Sequence, residues 1–169
     1  LLIASKGRAF ILSTSIKSMN EITCLLQDEF QKHNISYPIL TQGAGSKTKL
    51  LEQFKSHGNA ILIGSLSFWE GVDVRGSNLS LVIIDKLPFQ SPGDPIFQSK
   101  INMLSDKGIN AFMTFQLPKA IIALKQGAGR LIRDEMDKGV LMVCDQRIVS
   151  KPYGKKFWRS LPDFKRTRE

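Results

Sequence analysis

The sequence predicts an α/β domain built on a mostly parallel sheet covered on both faces. Three observations lead there. Short continuous apolar runs recur along the chain: Ala9–Leu12, Ala60–Ile63, Leu79–Ile84 and Val140–Val143. Segments of helical periodicity lie between most of them. The runs do not alternate apolar with polar residues, so both sides of each strand are expected to be buried, as happens when crossover helices pack on both faces. In such sheets the working loops sit at the carboxyl ends of the strands.

Taken in order, Ala9–Leu12 is the first expected strand, followed by Ser13, Thr14 and Ser15 and a helix from about Ser18 to Asn34. Met19, Ile22, Leu26 and Phe30 form its inner stripe. Tyr37–Leu40 reads as the second strand and Thr41–Gly45 as a loop. Ser46 then caps a helix carrying Leu50, Leu51 and Phe54. Gly58-Asn59 ends that helix, and Ala60–Ile63 is the third strand. After the loop Gly64–Ser77 comes the very apolar fourth strand, Leu79–Ile84. A Pro-rich segment, Leu87–Pro95, precedes a helix over Ile96–Asp106. A long helix is expected over Leu117–Arg133, with Pro118 in its first turn. Val140–Val143 is the fifth strand, and a short helix around Lys155–Leu161 leads into a basic tail. The expected carboxyl-end loops are Ser13–Lys17, Thr41–Gly45, Gly64–Ser77 and Asp85–Pro92.

The chain has 169 residues, the length of one ordinary domain, with 42% apolar and 23% charged residues. Its net charge of +9 favours a polyanionic partner. Cys24 and Cys144 are isolated, which supplies no zinc or iron–sulfur framework and makes a reducing, cytoplasmic setting the default. His33 and His57 lie near expected helix ends and read as dipole partners. No apolar run approaches the roughly 18 residues of a membrane span, and no secretory signal is seen. The opening on Leu1, a few residues before a strand, suggests a fragment of a longer chain.

Two stretches carry the chemistry. In the expected helix Leu117–Arg133, Ile121, Leu124, Ala128, Leu131 and Ile132 share one side, while Gln126, Arg130 and Arg133 stack on the other at i, i+4, i+7. Gly127 and Gly129 beside that row each cost roughly 1 kcal/mol in a helix interior, which implies that something approaches closely there. A rigid holder for a polyanion fits this pattern; a merely solvated face is the plainer reading. The second stretch is G-S-L-S-F-W-E-G-V-D-V-R-G, Gly64–Gly76. Its hydroxyls and amides suit a phosphate backbone, and Glu70 and Asp73 could orient a ribose or hold an arginine. For Phe68 and Trp69, burial in a packed loop is favoured.

Three motifs are incomplete. Gly43-Ala44-Gly45-Ser46-Lys47-Thr48 has Ser46 before the Lys and Thr41 at the earlier Gly position of a phosphate loop. Gly127-Ala128-Gly129-Arg130-Leu131-Ile132 lacks the third Gly of a dinucleotide fingerprint, and Gly64–Phe68 lacks the closing Gly of a nucleophile elbow. With no nucleotide cradle and no nucleophile–base set, the chain supplies at most part of a catalytic site. A self-contained phosphatase or acyl hydrolase is disfavoured for that reason.

Together the two stretches resemble motifs V (S-F-W-E-G-V-D-V-R-G, 67–76) and VI (Q-G-A-G-R-L-I-R, 126–133) of superfamily 2 helicases of the DinG/XPD-like family, in particular its YoaA-type branch. The run L-S-L-V-I-I-D-K-L-P-F at 79–89 and the closing K-P-Y-G-K-K-F-W-R-S-L-P are similar to the same branch. The resemblance implies a RecA-like, three-layer second motor domain over 1–164 without its own Walker A loop, with a basic tail at 165–169. It implies half of an ATP-dependent 5′–3′ DNA helicase, inactive alone, with a role in repair or replication. ATP and Mg2+ would be shared with the N-terminal RecA-like domain of the same chain, where an iron–sulfur cluster is also expected.

By the same resemblance, Arg133 is the arginine finger, with Arg130 beside it and Gln126 tying the motif to nucleotide or opposing domain. Glu70 and Asp73 would serve the ribose or the coupling, and Gly71 and Gly129 would permit close approach. Single-stranded DNA would meet Ser13, Thr14, Ser15 and Ser65, with Lys17 and Lys47 adding charge. The chi subunit of a clamp-loader assembly is an implied partner; no metal ligand and no membrane contact are implied for this segment. Gln126, Arg130 and Arg133 are expected to be solvent-exposed. The alternative is a stand-alone basic nucleic-acid-binding domain without motor activity.

Overall fold

In the computed structural model, which describes residues 1–65, 68, 74, 79–91, 93–131 and 138–167, the strands form one parallel sheet in the order β2-β3-β1-β4-β5. They are β1 (Ala9–Ser13), β2 (Ile39–Thr41), β3 (Ile61–Ser65), β4 (Leu81–Ile84) and β5 (Val140–Val143). Every pairing is parallel, and β1 sits between β3 (Ala9 beside Ile61) and β4 (Ala9 beside Leu81). The five apolar segments of the sequence are these five strands, within one or two residues at the ends.

The chain divides into two compact units, one of residues 1–86 with 126–145 and one of residues 87–125 with 146–169. The first holds the sheet. Helix α1 (Ile16–Lys32) lays Met19 and Phe30 on the face carrying Ala9, Ile11, Ile61, Ile63 and Leu81. Helix α2 (Lys47–His57) brings Leu50 and Phe54 inside, and the Phe54 ring lies 5.3 Å from that of Phe10. Phe10 is adjacent to Ala9 and Ile11, so it points to the opposite face. Burying both faces explains why β1 reads as an unbroken apolar run: all five of its residues are buried.

Local chemistry sets the helix ends. Ser15 caps α1 and Ser46 caps α2, each accepting from an N–H three residues on (Ser18 at 3.1 Å, Lys49 at 3.3 Å). Gly58 closes α2 in the left-handed conformation, φ 66°, which suits a residue without Cβ. His33 is the C-cap of α1 and His57 the last residue of α2, where the dipole favours a cation.

Strand β5 departs from the expectation of a sheet covered on both faces. Its residues alternate in burial, and Val140 and Met142 are 49% and 39% exposed. It is an edge strand, paired on one side with β4 among the described residues.

The second unit begins with the Pro-rich segment. Asp94 caps helix α3 (Pro95–Asp106) through the Ile96 and Phe97 N–H groups, with Pro95 in the first turn. A five-residue π-helical stretch, Phe112–Gln116, then runs without a break into α4 (Leu117–Ala128). Pro118 therefore does not open a helix, as the sequence reading held. A helix interior must make room for its ring against the preceding turn, and the wider π turn, with the Leu117 N–H bonded to the Phe112 carbonyl, does so. Helices α5 (Arg147–Ser150) and α6 (Gly154–Ser160) follow β5. Phe89, Phe112, Tyr153 and Phe157 make an aromatic cluster with centroids 5.2–6.4 Å apart, and the Arg147 guanidinium lies 5.3 Å above the Phe89 ring.

Helix α4 also ends earlier than the periodicity predicts. It stops at Ala128, and Arg130 and Leu131 close short turns onto the Gly127 and Ala128 carbonyls at 3.2 and 3.0 Å. Two glycines in three residues lower the helix propensity where the chain leaves the helix. They act as terminators here, rather than as a cost borne inside a longer helix. No described helix is long and apolar enough to cross a membrane.

Candidate functional site

The carboxyl ends of β1, β2, β3 and β4 gather polar groups in the first unit. At the end of β1 the chain turns sharply into α1. Ser13 is fully buried and its hydroxyl donates to the Ser15 carbonyl at 2.7 Å. Thr14 is half-buried and its N–H donates to Asp85 Oδ1 at 3.1 Å. Ser15 is exposed and occupied as the α1 cap. Ser18, one turn into the helix, donates its hydroxyl to Asp85 Oδ2 at 2.8 Å.

Asp85 therefore organises this loop. It stands directly after β4, its own N–H donates to the Leu12 carbonyl at 3.1 Å, and Oδ1 also accepts from the Lys86 N–H at 2.6 Å. Both carboxylate oxygens are used, so the β1–α1 loop is tied to the end of the neighbouring strand. Sequence reasoning missed this role, although a carboxylate directly after a very apolar strand was the available signal. Its negative charge also reaches Cys144, just beyond β5. There, partial burial first and Asp85 second push the thiol above its ordinary range. Cys24 and Cys144 are both free.

The end of β3 is organised by a second missed residue. Gln42 Oε1 accepts from both the Ser65 N–H at 2.7 Å and the Ser65 hydroxyl at 2.8 Å. Gly64, just before, is in close quarters: a Cβ there would come within 2.8 Å of Phe68 Cβ and Cγ. Phe68 is 4% exposed, so the favoured packed reading describes it. Trp69 lies outside the described residues.

Of the two lysines, Lys17 is on the solvent face of α1, 3.9 Å from Glu21. Lys47 is half-buried at the start of α2, its ammonium 5.5 Å from the Phe68 ring centroid. The incomplete phosphate loop is open around Gly43 and Gly45, where an added Cβ would meet nothing closer than the Lys49 side chain at 3.9 Å.

Of the second stretch, Gln126 is exposed in the last turn of α4, Gly129 is exposed beyond it, and Leu124, Ala128 and Leu131 are buried. Arg130 is half-buried, not solvent-exposed as expected for the row. Because the helix has ended, Gln126 and Arg130 do not stack on one helical face. Arg133, Glu70, Gly71 and Asp73 lie outside the described residues. The described donors, a carboxamide and a guanidinium, are of the kind that polyphosphate oxygens accept from. No group of three or more His, Cys, Asp or Glu side chains suited to a metal converges among the described residues.

The chain is similar along nearly its whole length to known proteins. It is 51% identical over 166 residues to the ATP-dependent DNA helicase YoaA of Escherichia coli (strain K12), covering 98% of this chain and 25% of that protein. It is 38% identical over 167 residues to the ATP-dependent helicase DinG of Mycobacterium tuberculosis (strain ATCC 25618 / H37Rv), covering 99% of this chain and 24% of that protein. The chain thus spans about a quarter of the length of these relatives. A solved structure titled XPD_APO superposes with a TM-score of 0.68 at 27% identity, over 94% of this chain and 32% of that one. The all-parallel α/β sheet is thus a RecA-like helicase fold. Residues 1–164 match the family model described as the helicase C-terminal domain, and the chain belongs to that family.

Proposed function

We propose that this chain is the C-terminal motor half of an ATP-dependent 5′–3′ DNA helicase of superfamily 2, working in DNA repair or replication in the cytoplasm. The observation that carries the reading is the family match over residues 1–164, with the sheet's polar carboxyl-end loops as its physical counterpart. Residues 1–164 form the motor domain and 165–169 a basic tail within a longer chain.

ATP, with Mg2+, supplies the phosphoryl transfer that drives such a motor. Arg133 acts as the finger that stabilises charge on the transferring group, with Arg130 beside it and Gln126 binding nucleotide or the opposing domain. Glu70 and Asp73 orient the ribose or couple nucleotide state to the arginines, and Gly71 and Gly129 leave room for the approach. The N-terminal RecA-like domain of the same chain completes the site and carries the iron–sulfur cluster.

Single-stranded DNA is held through its backbone. Thr14, Ser15 and Ser65 offer hydroxyls, and Lys17 and Lys47 add charge. Ser13, fully buried with its own hydroxyl given to the Ser15 carbonyl, shapes the loop instead of touching DNA as expected. The clamp-loader chi subunit is a partner at the C-terminal end. The test is strand separation by the full-length protein. Duplexes with a 5′ single-stranded tail should be opened with ATP, and those with a 3′ tail should not. The opposite polarity, or no ATP-dependent opening, would overturn the reading.

A second reading keeps one specific observation in its favour. The second unit carries twelve Lys or Arg against four Asp or Glu, so +8 of the net +9 lies in 63 residues. A basic nucleic-acid-binding module without motor activity would show the same concentration of charge. It predicts single-stranded DNA binding without ATP turnover by the full-length protein.

A further inference from the structure

Strands β2 and β3 stay in register to Thr41 beside Ile63, and the Gln42 N–H adds one more rung by donating to the Ile63 carbonyl at 2.9 Å. Gly43, at φ 100°, then turns the chain out of the sheet. The ladder nevertheless continues, through a side chain. Gln42 Oε1 accepts from the Ser65 N–H at 2.7 Å and from the Ser65 hydroxyl at 2.8 Å. A main-chain N–H only donates, so the oxygen end of the carboxamide is the end that faces Ser65.

A serine hydroxyl has a single proton to give. In this arrangement it is given to Gln42. A backbone phosphate oxygen only accepts, so Ser65 can grip DNA through its hydroxyl only by turning that proton from Gln42 to the phosphate. We infer that Gln42 is a positioning residue for the Ser65–phosphate contact. Its oxygen keeps the Ser65 main chain pinned through the N–H in both states. It is also the resting acceptor for the hydroxyl when no DNA is bound. Gln42 lies between β2 and α2 and Ser65 ends β3, so the pair ties the loop after β2 to the carboxyl end of β3. The inference rests on Ser65 being a DNA contact, as proposed above.

The experiment is DNA-stimulated ATP hydrolysis by the full-length protein with Gln42→Ala, Ser65→Ala, the double variant and Gln42→Glu. Each single alanine should raise the apparent KM for single-stranded DNA about three- to tenfold, with kcat at saturating DNA changed less than about twofold. The double variant should be no worse than the worse single one, because both remove the same contact. Gln42→Glu keeps the acceptor and should melt like the parent. Its charged oxygen holds the hydroxyl proton more strongly and repels phosphate, so it should raise KM at least as much as Gln42→Ala.

Penalties that multiply in the double variant, or a parental KM in Gln42→Glu, would overturn the positioning role while leaving the Ser65 contact standing. A parental KM in Ser65→Ala would instead remove the contact itself, and the inference with it.

Discussion

The carboxylate of Asp85 meets the hydroxyl of Ser18 at 2.8 Å across 67 residues of sequence. With the Thr14 N–H on its other oxygen, this one side chain holds the β1–α1 loop to the end of β4. Asp85→Ala removes acceptors for Ser18, Thr14 and Lys86 together and should cost about 2–3 kcal/mol of stability. Asp85→Asn keeps one acceptor oxygen for the two N–H groups and should cost about 1 kcal/mol. Urea melts of the two variants would check the ranking, and equal losses would show that Oδ1 contributes little.

Asp85 is also the second cause, after burial, of the raised pKa of Cys144. Burial and then the Asp85 charge hold that thiol above the ordinary range, because both disfavour the thiolate. Alkylation at Cys144 should therefore climb only at more alkaline pH than for a free thiol. Asp85→Asn removes the charge, lowers the thiol's pKa and should speed alkylation at any fixed pH below it. Mass-spectrometric rates over a pH series would decide; an unchanged profile would leave burial as the whole cause.

Ser15 caps α1 and is proposed as a DNA contact, and one pair of substitutions separates the two roles. Its side chain caps α1, so Ser15→Ala should lose about 1 kcal/mol of stability. Ser15→Asp keeps a capping acceptor and should retain the stability, while its charge repels a phosphate backbone. If Ser15 faces DNA, the Asp variant of the full-length protein binds single-stranded DNA at least several-fold more weakly yet melts normally. Parental DNA affinity in the Asp variant would leave Ser15 as a cap alone.

Gly64 has no room for a methyl group. A Cβ would lie 2.8 Å from Phe68 Cβ and Cγ, atoms near the main chain that cannot swing aside cheaply. Gly64→Ala should cost about 1–3 kcal/mol and displace Phe68. A thermal melt gives the stability, and DNA-stimulated ATP hydrolysis by the full-length protein gives the effect on turnover. A neutral melt would mean that Phe68 can repack.

Arg133→Ala tests the finger directly. Fingers in other phosphoryl-transfer systems contribute about 10³–10⁵ in rate, or roughly 4–7 kcal/mol of barrier. The full-length variant should lose DNA-stimulated ATP hydrolysis by about that factor, with an unchanged circular dichroism spectrum. Near-normal turnover would sink the assignment.

The layers of the domain are legible in the order of its residues. The expected segments became five parallel strands, and β1, β3 and β4 read as apolar runs because a strand buried on both faces favours apolar residues at nearly every position. Ser15, Ser46 and Asp94 cap their helices through contacts within three residues. Ser46 reads as a cap from the sequence alone, whereas Ser15 and Asp94 stand only beside the expected helices they cap. The motif order along the chain was enough to give the family. Periodicity overreached at Leu117–Arg133, because a 3.6-residue pattern does not register where glycines release the helix or how Pro118 is accommodated.

The partners at the strand ends are set by the fold. Asp85 with Ser18 and Gln42 with Ser65 are separated by 67 and 23 residues, and no local pattern pairs them. They meet because β1 pairs with β4 and β2 with β3, and parallel strands bring their carboxyl ends to one edge. A hydroxyl that looks available in the sequence can already have given away its proton, and only the fold shows to which oxygen.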